Sequence, residues 1–191
     1  VVIVGVIKRK ISPSMVAPRR ALSPRSRRCY RRAMQRINIA APQFEYDPGD
    51  PAPYGAGMFR IGPLLGAEQL GATVYELAPG RAICPYHYET AEEEWLLVLA
   101  GTPTLRHPQG SERLAPWDVV CFPPRAEGAH KLSNDVEEPA RVLMFSTVRL
   151  PAATFYPDSD KVGIWTEGDG GRLIVRRSSG VDYWDGETGA G

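Results

Sequence analysis

From about Ile37 onward, short apolar runs alternate with turn residues. The runs predict strands at Ala72–Leu77, Cys84–Tyr88, Glu94–Ala100, Thr102–Arg106, Ser111–Leu114, Asp118–Phe122, Ala129–Ser133 and Arg141–Val148. Between them lie Pro79-Gly80, Gly101, Pro108-Gln109-Gly110, Ala115-Pro116-Trp117 and Pro123-Pro124. Such residues turn a chain because proline fixes φ and glycine tolerates positive φ. Short strands at close, regular spacing predict an all-β barrel or sandwich. No helical stripe separates them, which argues against βαβ units and a nucleotide-binding parallel sheet. The run Glu94–Ala100 is apolar on both faces after its first residue. One face is expected to line a barrel interior, and the other to pack on a second sheet or a partner subunit.

Composition adds little until charge is divided along the chain. The 191 residues are 43% hydrophobic and 24% charged, as in ordinary soluble domains. The net charge of +1 hides two opposite parts. Residues 1–36 hold 11 Lys and Arg and no acid. Beyond Arg36 there are 12 basic and 22 acidic residues, a net charge of −10. A body this acidic is a poor nucleic-acid binder, since phosphate contacts need Lys and Arg. The first 36 residues, rich in Arg, Ser and Pro, are expected to be a disordered basic arm. A solvated tail, an early translation start ahead of Met34 and an organellar transit peptide all fit that composition.

Three widely spaced cysteines, Cys29, Cys84 and Cys121, with no CxxC, point to a reducing, cytoplasmic setting rather than a disulfide scaffold. No apolar run reaches the roughly 18 residues of a membrane span. Neither nucleic acid nor membrane is therefore expected as a partner.

Candidate chemistry gathers at two of the three histidines. In a strand, residues two apart share a face, so His87 and Glu89 project together. Thr90 to Glu93 can form a turn that brings Glu94 back to the same pocket, and His130 opens a later strand. Two imidazoles and two carboxylates without a thiolate fit Fe(II), Mn(II), Ni(II) or Zn(II). Spacing alone fits better a solvated acidic run at Glu92–Glu94 and surface or hydrogen-bonded core histidines. His107, in the turn Arg106–Gly110, is expected to be solvated. Cys84 and Cys121 are expected to be buried as small hydrophobes. Tyr86 and Tyr88, alternating with His87 and Glu89, should face away from the pocket. Phe122, Met144 and Phe145 are expected in the core or lining the pocket, and Arg125 on a surface loop or over the barrel mouth.

At these residues the sequence resembles the cupin superfamily. Gly80, His87-x-Glu89, Glu94 and Gly101 follow the order of the first cupin motif, with six, four and six residues in the three gaps. In the second motif, five residues separate Trp117 from Pro123 and three separate His130 from Asn134. Glu89 stands where the family usually has its second histidine, and Trp117 and Arg125 stand at motif glycines. The loop from Pro123 to His130 is two residues longer than the pattern. The phrase from Tyr156 to Gly163 is similar to a tail found in small single-domain cupins.

The resemblance implies a double-stranded β-helix, or jelly roll, with a divalent metal ion held at its centre by His87, Glu89, Glu94 and His130. It also implies a homodimer. The barrel is expected to span 37–155, and a C-terminal extension, 156–191, to pack on it or on a partner subunit. Two functions fit: a metal-dependent enzyme acting on a small organic acid, sugar or aromatic, and a non-catalytic small-molecule binding module.

Overall fold

A computed structural model describes residues 34–167 and 171–189. The expected disordered arm lies outside the described residues except for its last three positions. The elements in chain order are β1 Gly57–Arg60, a one-turn helix α1 Ile61–Leu65, β2 Leu70–Leu77, β3 Tyr88–Glu89 and β4 Glu94–Ala100. They continue with β5 Thr104–His107, β6 Gly110–Arg113, β7 Val119–Phe122, β8 Lys131–Ser133 and β9 Ala140–Thr147. The last three are β10 Ala152–Tyr156, β11 Lys161–Trp165 and β12 Arg172–Arg176. Among the described residues no helix is long and apolar enough to cross a membrane.

One antiparallel sheet runs β1-β2-β9-β4-β7. Opposite it lie two ladders, β6-β5-β8 and β12-β11-β10-β3. Bridges at Ala82↔Ser133 and His87↔His130 join these ladders along the segment that leads into β3. The result is two β layers enclosing one core, the double-stranded β-helix.

Alternation along β4 and β9 creates that core. Leu96 pairs with Met144 on one side and Val120 on the other, and Val98 pairs with Val142. The next strand adds Tyr75 opposite Val142. This row meets Leu105 and its cross-strand partner Leu132 from the opposite layer. On the outer face of β4, Trp95 stacks on Phe145 with ring centres 6.1 Å apart. Trp95 and Val119 are exposed there, so the outer side of the strand is not sealed as the inner one is.

Seven of the eight expected strands appear as strands with no end moved by more than two residues, and Glu94–Ala100 has both ends as expected. Cys84–Tyr88 is the exception, because only Tyr88–Glu89 is regular. Pro85 supplies no amide proton. The segment is instead held by single bonds from Ile83 to Leu132 and from His87 to His130. β1, β10, β11 and β12 were not anticipated. Residue 156, where the extension was expected to begin, is the last of β10, and β10 pairs with both β3 and β11. Tyr183 and Trp184 are exposed and stack on each other edge to face, rather than docking on the barrel.

The fully buried Leu96 sits mid-row in the larger sheet. Leu96→Ala should cost about 2–5 kcal/mol, since the rigid neighbours on both strands cannot collapse into the cavity. A urea titration followed by tryptophan fluorescence measures it.

Candidate metal centre

His87 and His130 face each other across a narrow antiparallel pair. His87 N–H donates to His130 O at 3.1 Å, and His130 N–H to His87 O at 2.8 Å. Their rings lie 4.7 Å apart. Phe122 stacks on His130 at 3.8 Å, and Tyr156 lies over His87 at 6.1 Å. Glu94 opens β4 on the inner face of the opposite layer, flanked by Ser146 and Phe122. The run Glu92–Glu94 is not a solvated face: Glu92 and Glu94 are buried and only Glu93 is exposed.

The imidazoles are set for coordination by their other nitrogens. His87 Nδ1 lies 3.0 Å from Pro85 O, and His130 Nδ1 lies 2.9 Å from Gly128 O. A carbonyl oxygen only accepts, so each Nδ1 carries the proton. Each neutral ring then presents a bare lone pair at Nε2. Both Nε2 atoms are buried without a hydrogen-bond partner. Burial holds both rings below the ordinary histidine pKa, and the proximity of His130 adds to this at His87.

The lone pairs converge on Glu94. Its Oε2 lies 4.0 Å from His87 Nε2 and 3.7 Å from His130 Nε2. Two atoms each about 2.1 Å from one ion are at most about 4.2 Å apart, and both separations meet that limit. His87, Glu94 and His130 form a group whose ligand atoms all lie within 4.8 Å of one another and could hold a metal ion.

Glu89 lies next to this group of three, with Oε1 3.9 Å from His87 Nε2. Burial pushes its carboxyl up to about 7, and the nearby Glu94 carboxylate adds to the rise. Its other oxygen, Oε2, accepts a 2.7 Å bond from Thr154 Oγ1. Sequence reasoning missed Thr154. The only signal near it was the Tyr156–Gly163 phrase, which marks the hairpin that follows.

The remaining candidates are elsewhere. His107 ends β5 outside the cluster, half-buried, with Nε2 3.5 Å from Glu112. Cys121 is exposed on the outer side of β7, against the expectation of burial. The Cys84 thiol lies 3.5 Å from His87 Nδ1, and burial pushes its pKa up to about 12, so it stays neutral. Tyr86 packs under the Arg106 guanidinium at 3.9 Å, and Tyr88 stacks on Phe155 at 5.1 Å. Met144 is in the core, while Phe145 is on the outer face.

The motif's other members frame the site. Asn134 Nδ2 donates to Leu77 O and Glu138 O, and Gly80 N–H donates to Asn134 O. These bonds clasp the ends of the two motifs together. Trp117 and Arg125, which stand at motif glycine positions, have positive φ, 78° and 77°. Arg125 combines that φ with ψ −171°, a region that side chains strain to occupy. Its N–H donates to Glu89 O at 2.6 Å, which holds it there.

A double-stranded β-helix with two inward histidines and an inward glutamate defines a class of small β-barrels. Residues 73–146 match the family profile for the cupin domain. Among solved structures it is similar to a candidate sugar phosphate isomerase from Acidithiobacillus ferrooxidans. That match has 24% identity and a TM-score of 0.66, covering 75% of this chain and 91% of the other. It is similar also to a sugar phosphate isomerase of the cupin superfamily from Silicibacter pomeroyi. There the identity is 24% and the TM-score 0.66, over 79% and 98% of the two chains. At this identity the likeness defines the fold. None of the curated proteins matches the chain.

Two variants test the local physics. Arg125→Gly removes a strain of about 1–3 kcal/mol, of which glycine's freedom in the unfolded chain takes back about 0.5–1. The variant should be about 1 kcal/mol more stable than its parent in urea. Glu89→Gln tests the raised carboxyl pKa. An acid with a raised folded-state pKa favours folding below its unfolded value of about 4.3. That contribution is lost as pH rises through about 7. In metal-free protein, Glu89→Gln should therefore gain on its parent between about pH 5 and about pH 8, read as a shift in urea midpoints.

Proposed function

We propose that the chain binds a divalent metal ion through His87, Glu94 and His130, with Glu89 as the fourth donor, and uses it to bind and transform a small oxygen-bearing molecule. The observation that carries this is the pair of buried Nε2 lone pairs, fixed by their Nδ1 bonds and converging on one carboxylate. Burial keeps the rings neutral, which is the state that ligates. Nitrogen and oxygen donors without a thiolate suit Fe(II), Mn(II), Ni(II) or Zn(II). A bound ion supplies Lewis-acid polarisation at the coordination positions the side chains leave open. The chain's own part is to orient: Phe122 and Tyr156 flank the imidazoles and present an apolar wall.

Small organic acids, sugars and aromatics all carry oxygens able to approach such a centre. The names of the two solved structures put phosphorylated sugars first among compounds to test. A homodimer draws support from the exposed Trp95 and Val119 on the outer face of the larger sheet.

Elemental analysis of protein purified without added metal should find about one divalent ion per chain, and Glu94→Ala and His130→Ala should each lose it. Removal by a chelator should lower the melting temperature of the parent and leave those variants unchanged. An ion-free parent whose melting ignores both metal and chelator would sink the proposal. A loaded protein that binds but does not alter a panel of sugar phosphates, organic acids and catechols is a binding module.

A further inference from the structure

Behind Glu89 lies a hydrogen-bonded chain of three buried side chains. Trp165 Nε1–H donates to Thr154 Oγ1 at 2.7 Å, and Thr154 Oγ1 donates to Glu89 Oε2 at 2.7 Å. Trp165, Thr154 and Glu89 are 1%, 0% and 4% exposed. With Glu89 ionised, the direction of the chain is forced. An indole N–H only donates, so Thr154 must accept it, and the single hydroxyl proton goes to the carboxylate. Glu89 Oε2 is thereby held as an acceptor on the side away from His87, and the carboxylate cannot turn about its last torsion without breaking a buried bond.

The backbone explains how the indole reaches so far. Thr154 and Gly163 are register partners on β10 and β11, and Glu89 is the partner of Thr154 on its other side. Trp165, two residues on, shares the face of Gly163. Its ring folds back across that position. A Cβ built on Gly163 would lie 3.1 Å from Cζ2 and 3.5 Å from Nε1 of the indole. The glycine thus leaves the space through which Trp165 meets Thr154.

We propose that Thr154 and Trp165 are positioning residues of the metal centre, which orient Glu89 toward the ion through the relay Trp165–Thr154–Glu89. This rests on the metal reading above. It places part of the site's support on β11, outside the stretch from Gly80 to Asn134 that carries both motifs. Partners that orient a ligand commonly contribute 10–100-fold in metal affinity.

The test is a Co(II) titration of the metal-free full chain, followed by visible ligand-field absorption. Thr154→Val keeps the shape and removes the hydroxyl; Thr154→Ser restores it. The parent should bind one Co(II). Thr154→Val and Trp165→Phe should weaken binding about tenfold or more and shift the bands, and Thr154→Ser should recover both. In a Glu89→Gln background, Thr154→Val should add no further loss, since the relay then has no carboxylate to orient. An equal loss with and without Glu89 would mean that Thr154 is merely structural, and would overturn the proposal. So would a Thr154→Val protein that binds Co(II) as its parent does, and that result leaves the metal centre standing. A parent that binds no Co(II) overturns the metal reading and the relay with it. If Trp165→Phe fails to fold, the Thr154 pair decides the matter.

Discussion

The backbone pair between His87 and His130 is the constraint on which the candidate centre depends. Two hydrogen bonds, at 3.1 and 2.8 Å, join the segment before β3 to the segment before β8. That pair brings two imidazoles from residues 43 positions apart in sequence to a 4.7 Å ring separation. It also completes the layer that β5, β8 and β10 otherwise leave in two pieces. Each ring spends its second nitrogen on a nearby carbonyl, so the same local backbone fixes position and tautomer together. Glu94 then needs only the ordinary alternation of β4 to face them.

Residues in other motif positions serve that geometry. Asn134 is not near the imidazoles' lone pairs. Its amide ties Leu77 and Glu138, and its backbone oxygen receives Gly80. Gly101 turns at φ 75° where a side chain would meet Ala140 Cα at 2.7 Å. The spacing shared with the cupin motifs is therefore mostly a record of turns and clasps. Trp117 and Arg125 show that two such turns survive without glycine, at a conformational cost.

How much was legible follows from which signals are local. β2, β4 and β9 were legible because each is an apolar run bounded by turn residues, and His87, Glu94 and His130 because their spacing echoes a known motif. The approach to β3 was misread as a strand because its apolar residues hide Pro85. β10 and β11 were missed because Ala152–Tyr156 and Lys161–Trp165 are short and flanked by residues that read as a tail. Cys121 was misplaced because β7 is an edge strand whose outer face is open. Thr154 and Trp165 could not be read at all. A threonine on one strand and a tryptophan on the next acquire meaning only when pairing sets them beside Glu89.

The hairpin of β10 and β11 changes what counts as the smallest piece of this protein. A fragment cut at the limits of the cupin match, residues 73–146, retains His87, Glu89, Glu94 and His130. It lacks the strand that pairs with β3 and the hydroxyl that grips Glu89. The unit that inheritance recognises and the unit that shapes the centre thus have different edges. Transplanting the matched segment alone into another scaffold would carry the four candidate ligands across without the Thr154 hydroxyl that bonds Glu89.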